Sequence, residues 1–220
     1  MRILAVDTAL GACSVAVLDG DTVLAHRFEL MDRGHAEALG PMVEVVMAES
    51  GLPFAGLERL AVTTGPGTFT GQRVGLAFMR GLRIALRTPL VGITTLAAMA
   101  HQAMAETGAP RAAALHDAKR DEVYVEIDPG LAPTLLTRSD TLEALAGAAG
   151  GSRLALAGTA AADFLALLRV RKIDAALSSV RHPDALWVAR LGQVAAAPDG
   201  PPRPLYLRAP DARLPSASHG

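Results

Sequence analysis

The sequence predicts an α/β protein of two lobes, the first built on a five-stranded mixed sheet. Three observations predict it. The chain opens with three short apolar runs, and Asp19-Gly20-Asp21 makes a hairpin turn between the second and the third. From His35 onward, runs of strand length alternate with stretches of helical spacing, which is the pattern of parallel crossovers. After Gly108-Ala109-Pro110 the pattern partly restarts.

The opening strands are Ile3 to Thr8, Cys13 to Leu18 and Val23 to Phe28. His35 to Glu49 is a helix on the spacing of Leu39, Met42, Val43 and Val46, with Gly51 as its stop. Pro41 should kink this helix or mark its true first turn. Strands Arg59 to Thr63 and Pro89 to Ile93 alternate with helices Thr70 to Arg87 and Leu96 to Glu106. The order is therefore βββαβαβα. The second, smaller lobe holds strands Arg111 to His116, Glu122 to Ile127 and Leu154 to Ala157, with helices at Ala161 to Leu168 and Pro183 to Ala196. The expected divisions are an N-terminal lobe of residues 1–107, a C-terminal lobe of residues 108–200, and a strap and tail of residues 201–220. PPRPLYLRAP reads as a strap laid over a surface, and the residues after Pro210 as disordered.

Composition narrows the function. Half of the 220 residues are apolar and only 4% aromatic, so the core is built from small aliphatic side chains. The net charge of −1 gives no overall attraction to nucleic acid. The single cysteine, Cys13, allows no internal disulfide and suits the cytoplasm. No run of eighteen apolar residues exists, so no membrane span is expected.

The stretch TTGPGTFTGQRVG, Thr63 to Gly75, has the shape of a strand, a glycine turn and a helix start. Backbone amides around Gly65 and Gly67 could cradle a phosphate, with Asp7 and Thr8 facing it from the first strand. The same residues could instead serve close packing and turn capping. The residues favour packing: no lysine follows the glycines, and TALGAC is poor in donors for a phosphate hairpin.

On a helical wheel, the apolar residues of Thr70 to Arg87 fill an arc of roughly 220°, where a sheet-packed helix needs about 100°. Arg73, Arg80, Arg83 and Arg87 fill the remainder with Leu76. The helix from His35 is similarly wide. Either the two helices bury each other, or they offer a partner a patch of His35, Leu39, Met42, Val46, Val74, Phe78, Met79, Leu82 and Leu86. On the wheel, Met79 and Leu86 sit at the open edge of that arc.

Several segments, in order and spacing, carry a family resemblance. ILAVDTALGACSVAVLDGD, RGHAEALGPMV, TTGPGTFTGQRVG, HDAKRDEVYVEI and PLYLRAP resemble the bacterial TsaB family, which acts in tRNA threonylcarbamoyladenosine biosynthesis and is related to TsaD. The resemblance implies an actin/hexokinase-type, ribonuclease H-like fold with a degenerate second lobe. It implies a helix-pair surface that docks TsaD, a TsaE-like ATPase as third component, and tRNA reached only indirectly. The modification is threonylcarbamoyl on N6 of adenosine 37 in tRNAs that read ANN codons. TsaD-type proteins carry two metal-binding histidines four residues apart. The matching positions here are Thr95 and Met99, so no metal, no catalytic residue and no required cofactor is expected of this chain. A nucleotide at the joint with the partner and a homodimer of the free protein stay open. The competing reading is an independent ATP-using enzyme, for which Asp117 would be the second acid. A metallopeptidase lacks its His-containing motif.

Overall fold

The computed structural model describes residues 1–196 and 200–208. The disorder expected after Pro210 falls outside the described residues. The first sheet contains β1 (Arg2–Asp7), β2 (Ala12–Asp19), β3 (Thr22–Leu30), β4 (Arg59–Thr63) and β5 (Leu90–Ile93), in the order β3-β2-β1-β4-β5. β1 pairs antiparallel with β2 and parallel with β4. Its side chains alternate as a strand buried on both faces must. Leu4 and Val6 meet α1 (His35–Ser50) and α2 (Phe69–Leu86), while Ile3 and Ala5 meet α6 (Ala185–Val194).

α1 runs through Pro41 without a break, so the proline marks neither its first turn nor an end. α2 begins one residue earlier than expected because the Thr68 hydroxyl accepts from the Gly71 amide and fixes the cap.

The second sheet repeats the first. β6 (Arg111–Asp117), β7 (Glu122–Asp128), β8 (Leu131–Thr137), β9 (Leu154–Ala157) and β10 (Ala175–Leu177) lie in the order β10-β9-β6-β7-β8. This is the strand plan of the first sheet over again, with α4 (Arg138–Ala149) and α5 (Ala161–Val170) on one face. The second lobe thus keeps all five strands, and its sheet is not degenerate; β8, α4 and β10 escaped the sequence reading.

The helix between the lobes is exchanged. α3 (Thr95–Thr107) follows the first lobe in the chain but packs on the second sheet, through Leu96, Met99, Ala100 and Ala103. α6 follows the second lobe but packs on the first sheet through Ala185, Val188 and Ala189. α3 and α6 also touch each other, so they form the central layer. Small residues allow this: a Cβ on Gly192 would meet the Cβ of Ala61 at 2.8 Å. The alanine-rich, aromatic-poor composition is therefore a packing requirement of the middle layer.

Candidate functional site: the β1 turn, the glycine loop and the α1–α2 face

Asp7 ends β1 and Thr8 follows it, and both are buried. Asp7 Oδ1 accepts from the Thr63 hydroxyl at 2.6 Å and from the Ala9 amide at 3.1 Å. Asp7 Oδ2 is buried without a partner. The Thr8 hydroxyl donates to the Gly71 carbonyl at 2.7 Å and accepts from the Gly75 amide at 3.0 Å. The Thr68 amide donates to the Ala9 carbonyl at 2.8 Å. The two turns that would face a phosphate are thus pressed onto each other. A Cβ on Gly67 would fall far inside contact with the Ala9 carbonyl, and one on Gly71 inside contact with the Thr8 carbonyl. Gly65, at φ 108°, lies under the Gln72 side chain and the strap's Leu205. The loop packs closely on the β1 turn, and its Thr68, Gly71 and Gly75 amides are spent within the protein.

Thr95 and Met99 are both fully buried in α3, with Met99 in the core against the second sheet. Among the described residues no group of three His, Cys, Asp or Glu could hold a metal. His101 pairs with Asp128 at 2.8 Å. Asp117 Oδ1 accepts from the Lys119 amide in its own hairpin. The carboxylate whose charge acts on Asp7 is Asp184, which caps α6 and pairs with His26 at 2.7 Å. Nothing in the sequence pattern marked Asp184 or His182, whose ring covers Gly11.

Burial raises the Asp7 carboxyl to about 7 from its ordinary 3.8, and the Asp184 charge adds to this against the bonds from Thr63 and Ala9. Between these values the folded chain holds a proton that the unfolded chain has lost. Stability from this group is therefore present below about pH 4 and falls as pH rises to about 7, by about 4 kcal/mol. His116, which burial lowers to about 4 from 6.5, slopes the opposite way over the same range. A variant comparison isolates Asp7. Asn at this position keeps both acceptor bonds and cannot ionise. The stability gap between Asp7→Asn and the native chain should widen by about 4 kcal/mol from pH 4 to pH 8 in urea unfolding curves. A constant gap would contradict the assignment.

The nine patch residues divide. His35 donates from Nε2 to the Leu10 carbonyl at 2.9 Å and is buried. Leu39, Met42, Val46 and Met79 lie in the core between the helices and the sheet. For Met79, fully buried, this corrects the placement at an open edge. Val74, Phe78, Leu82 and Leu86 are half-buried against that core. Beside them the open surface carries Val45, Ala77, Gly81, Ile84 and Ala85. Ile84 is 75% exposed. A shallow groove of about 620 Å³ continues along α1 past Pro41, Met42 and Val45 to Arg27 of β3.

The arginine stripe is not simply solvated. Arg73 Nε donates to the Tyr206 hydroxyl at 2.8 Å, and the Arg80 guanidinium donates to the Pro202 carbonyl. The expected strap lies here: the Leu205 amide bonds the Thr64 carbonyl at 2.7 Å, and Arg208 reaches the Ala118 carbonyl and Glu122.

Two sheets of the same strand plan, with exchanged helices between them, define a two-lobed actin/hexokinase-type fold. Residues 27–149 match the family model described as TsaD: tRNA N6-adenosine threonylcarbamoyltransferase. The TsaB protein of Escherichia coli K12 is 44% identical over 124 residues, 56% of this chain and 53% of the relative. The chain thus matches only about half the length of that curated relative. An uncharacterized protein of Mycobacterium tuberculosis H37Rv is 33% identical over 213 residues, 96% of this chain and 93% of its own. The solved structure of YeaZ from Pseudomonas aeruginosa superposes with a TM-score of 0.73 at 28% identity, covering 94% of this chain and 99% of that one. The chain belongs to the TsaD-related family, and its relatives include TsaB and YeaZ proteins.

Among the described residues no helix is long and apolar enough to cross a membrane.

Proposed function

We propose that this chain is a non-catalytic partner of a TsaD-type transferase in N6-threonylcarbamoylation of adenosine 37 of tRNA, with a TsaE-like ATPase as third component. The observation that carries the proposal is the open α1–α2 face. Ile84 is bare, and Phe78, Leu82 and Val74 are only half-covered beside Ala77, Gly81 and Ala85. A contiguous apolar helix face with small residues at its centre suits close docking of another helix pair. When the partner is absent, the same face is available to a second copy. The names of the curated relatives support the pathway. The internal bonding of the glycine loop supports the lack of independent chemistry.

Depletion of the protein should lower threonylcarbamoyladenosine in bulk tRNA and spare unrelated modifications, measured by mass spectrometry of digested tRNA. The wild-type chain should restore the nucleoside. Ile84→Asp should not restore it and should weaken capture of the transferase at least about tenfold, because a charge must be desolvated in the joint. Normal nucleoside levels after complete depletion would remove the proposal.

One observation favours a second reading: the buried, unpartnered Asp7 Oδ2. An ATP-using enzyme would turn over ATP with Mg²⁺ and lose that turnover in Asp7→Asn. Background turnover by the purified chain rejects it.

A further inference from the structure

Several arginines elsewhere on the molecule are matched with acids, as Arg27 with Glu49, Arg138 with Asp163 and Arg171 with Glu143, while Arg59 and Arg111 donate to backbone carbonyls. The outer stripe of α2 is different. Arg73, Arg80, Arg83 and Arg87 fall within about 80° of one another on the helix, and Phe69 falls in the same stripe. α2 contains no acidic residue. Arg73 and Arg80 are held by a phenol and a carbonyl, which orient the guanidinium groups without neutralising them. Among the described residues no carboxylate pairs with any of the four. The strap adds Arg203, exposed and likewise without an acidic partner among the described residues. In a chain of net charge −1 this is a local excess of one sign.

At one end of the stripe stand two of the chain's eight aromatic side chains, Phe69 and Tyr206, 57% and 45% exposed. Their rings stack at 6.0 Å between centroids. The Arg73 guanidinium covers the Phe69 ring at 3.4 Å from its centroid. Exposed aromatic side chains set beside unneutralised guanidinium groups are what unpaired bases and their phosphates require. The stripe from Phe69 to Arg87 is about 27 Å long, enough for several nucleotides.

We propose that the outer face of α2, with the strap, binds single-stranded or loop RNA directly: a base stacks on Phe69 and Tyr206, and the arginines neutralise the following phosphates. This goes beyond the partner reading, which gives the chain no RNA contact of its own, and it concerns the arginine stripe, which borders the apolar patch at Ile84. It needs only RNA and this chain, so either proposal can fail without the other.

The test uses the purified full chain and two fluorescein-labelled RNAs, a stem–loop and a perfect duplex, followed by anisotropy. The stem–loop should bind about tenfold tighter than the duplex. Affinity should fall between about 50 and 200 mM salt, with a slope of about −0.7 per phosphate neutralised. Phe69→Ala should weaken stem–loop binding about tenfold and leave the salt slope unchanged, whereas Phe69→Trp should retain binding. Arg83→Gln and Arg87→Gln, which hold no part of the strap, should each make the slope shallower by about 0.7. Circular dichroism melting confirms that these exposed changes leave the fold intact. Equal binding of loop and duplex, or Phe69→Ala binding as well as wild type, would overturn the stacking site. So would an absence of RNA binding at low salt. If the arginine variants instead lose only the transferase, the face meets an acidic protein surface and the RNA proposal falls.

Discussion

Gly71→Ala should destabilise the protein by about 3 kcal/mol or more, lowering the melting temperature by about 6–12 °C. The added methyl group would be driven into the Thr8 carbonyl and would also meet the Thr68 hydroxyl at 2.6 Å. The carbonyl is backbone of the residue directly after β1, a strand paired on both sides, so it cannot turn away as a side chain could. Relief requires α2 to lift, and lifting breaks the two bonds through which the Thr8 hydroxyl holds the Gly71 carbonyl and the Gly75 amide. Gly81→Ala is the control in the same helix. Nothing lies within 4 Å of its added methyl, and the site is an exposed helix interior, so stability should rise by about 0.5–1 kcal/mol. Equal melting temperatures for the two variants would show that the glycine loop is not the clamp described.

This contrast explains what the sequence made legible. β1, β2 and β4 of the first sheet are buried on both faces, so they appear as nearly unbroken apolar runs, whereas the edge strand β3 is largely exposed. β8 and β10 are the edges of the second sheet. β8 carries Pro133, which an edge strand tolerates, and β10 has only three residues. Neither makes a run that stands out. α4, which ends in TLEALAGAA, has apolar residues on all sides and no clear stripe. The repeated strand plan was visible only in part, as a pattern restarting after Pro110, because the two lobes share topology and not residues. At the site, the close approach of the glycine loop to the β1 turn follows from the bare Cα of Gly67 and Gly71. The strap's bonds to Arg73 and Arg80 were not legible in the sequence, since they join positions more than a hundred residues apart.

Met79→Asp should leave no stable fold. The wheel placed Met79 at an open edge because it counted apolar side chains and took their centre as the buried direction. α2 is seated differently. Its nearest approach to the sheet is made by Gly71 and Gly75, which add nothing to an apolar count but let the backbone reach Thr8. With Gly75 at the centre of the buried side, Met79 lies about 40° away and points into the core with Leu60, Val62 and Leu90. It is fully buried. A carboxylate there has no partner, and an unpaired buried charge costs about 3–5 kcal/mol beyond the lost packing of about 2–5. Together these reach the whole stability of an ordinary domain. Met79→Leu, which conserves volume, should cost less than about 1.5 kcal/mol. Ile84→Asp, on the bare side of the same helix, should change stability by no more than about 0.5 kcal/mol. Loss of transferase binding in Ile84→Asp would then report the surface, whereas the same loss in Met79→Asp would report only unfolding. A soluble Met79→Asp chain melting near wild type would place the helix in the orientation the wheel suggested and move the docking face with it.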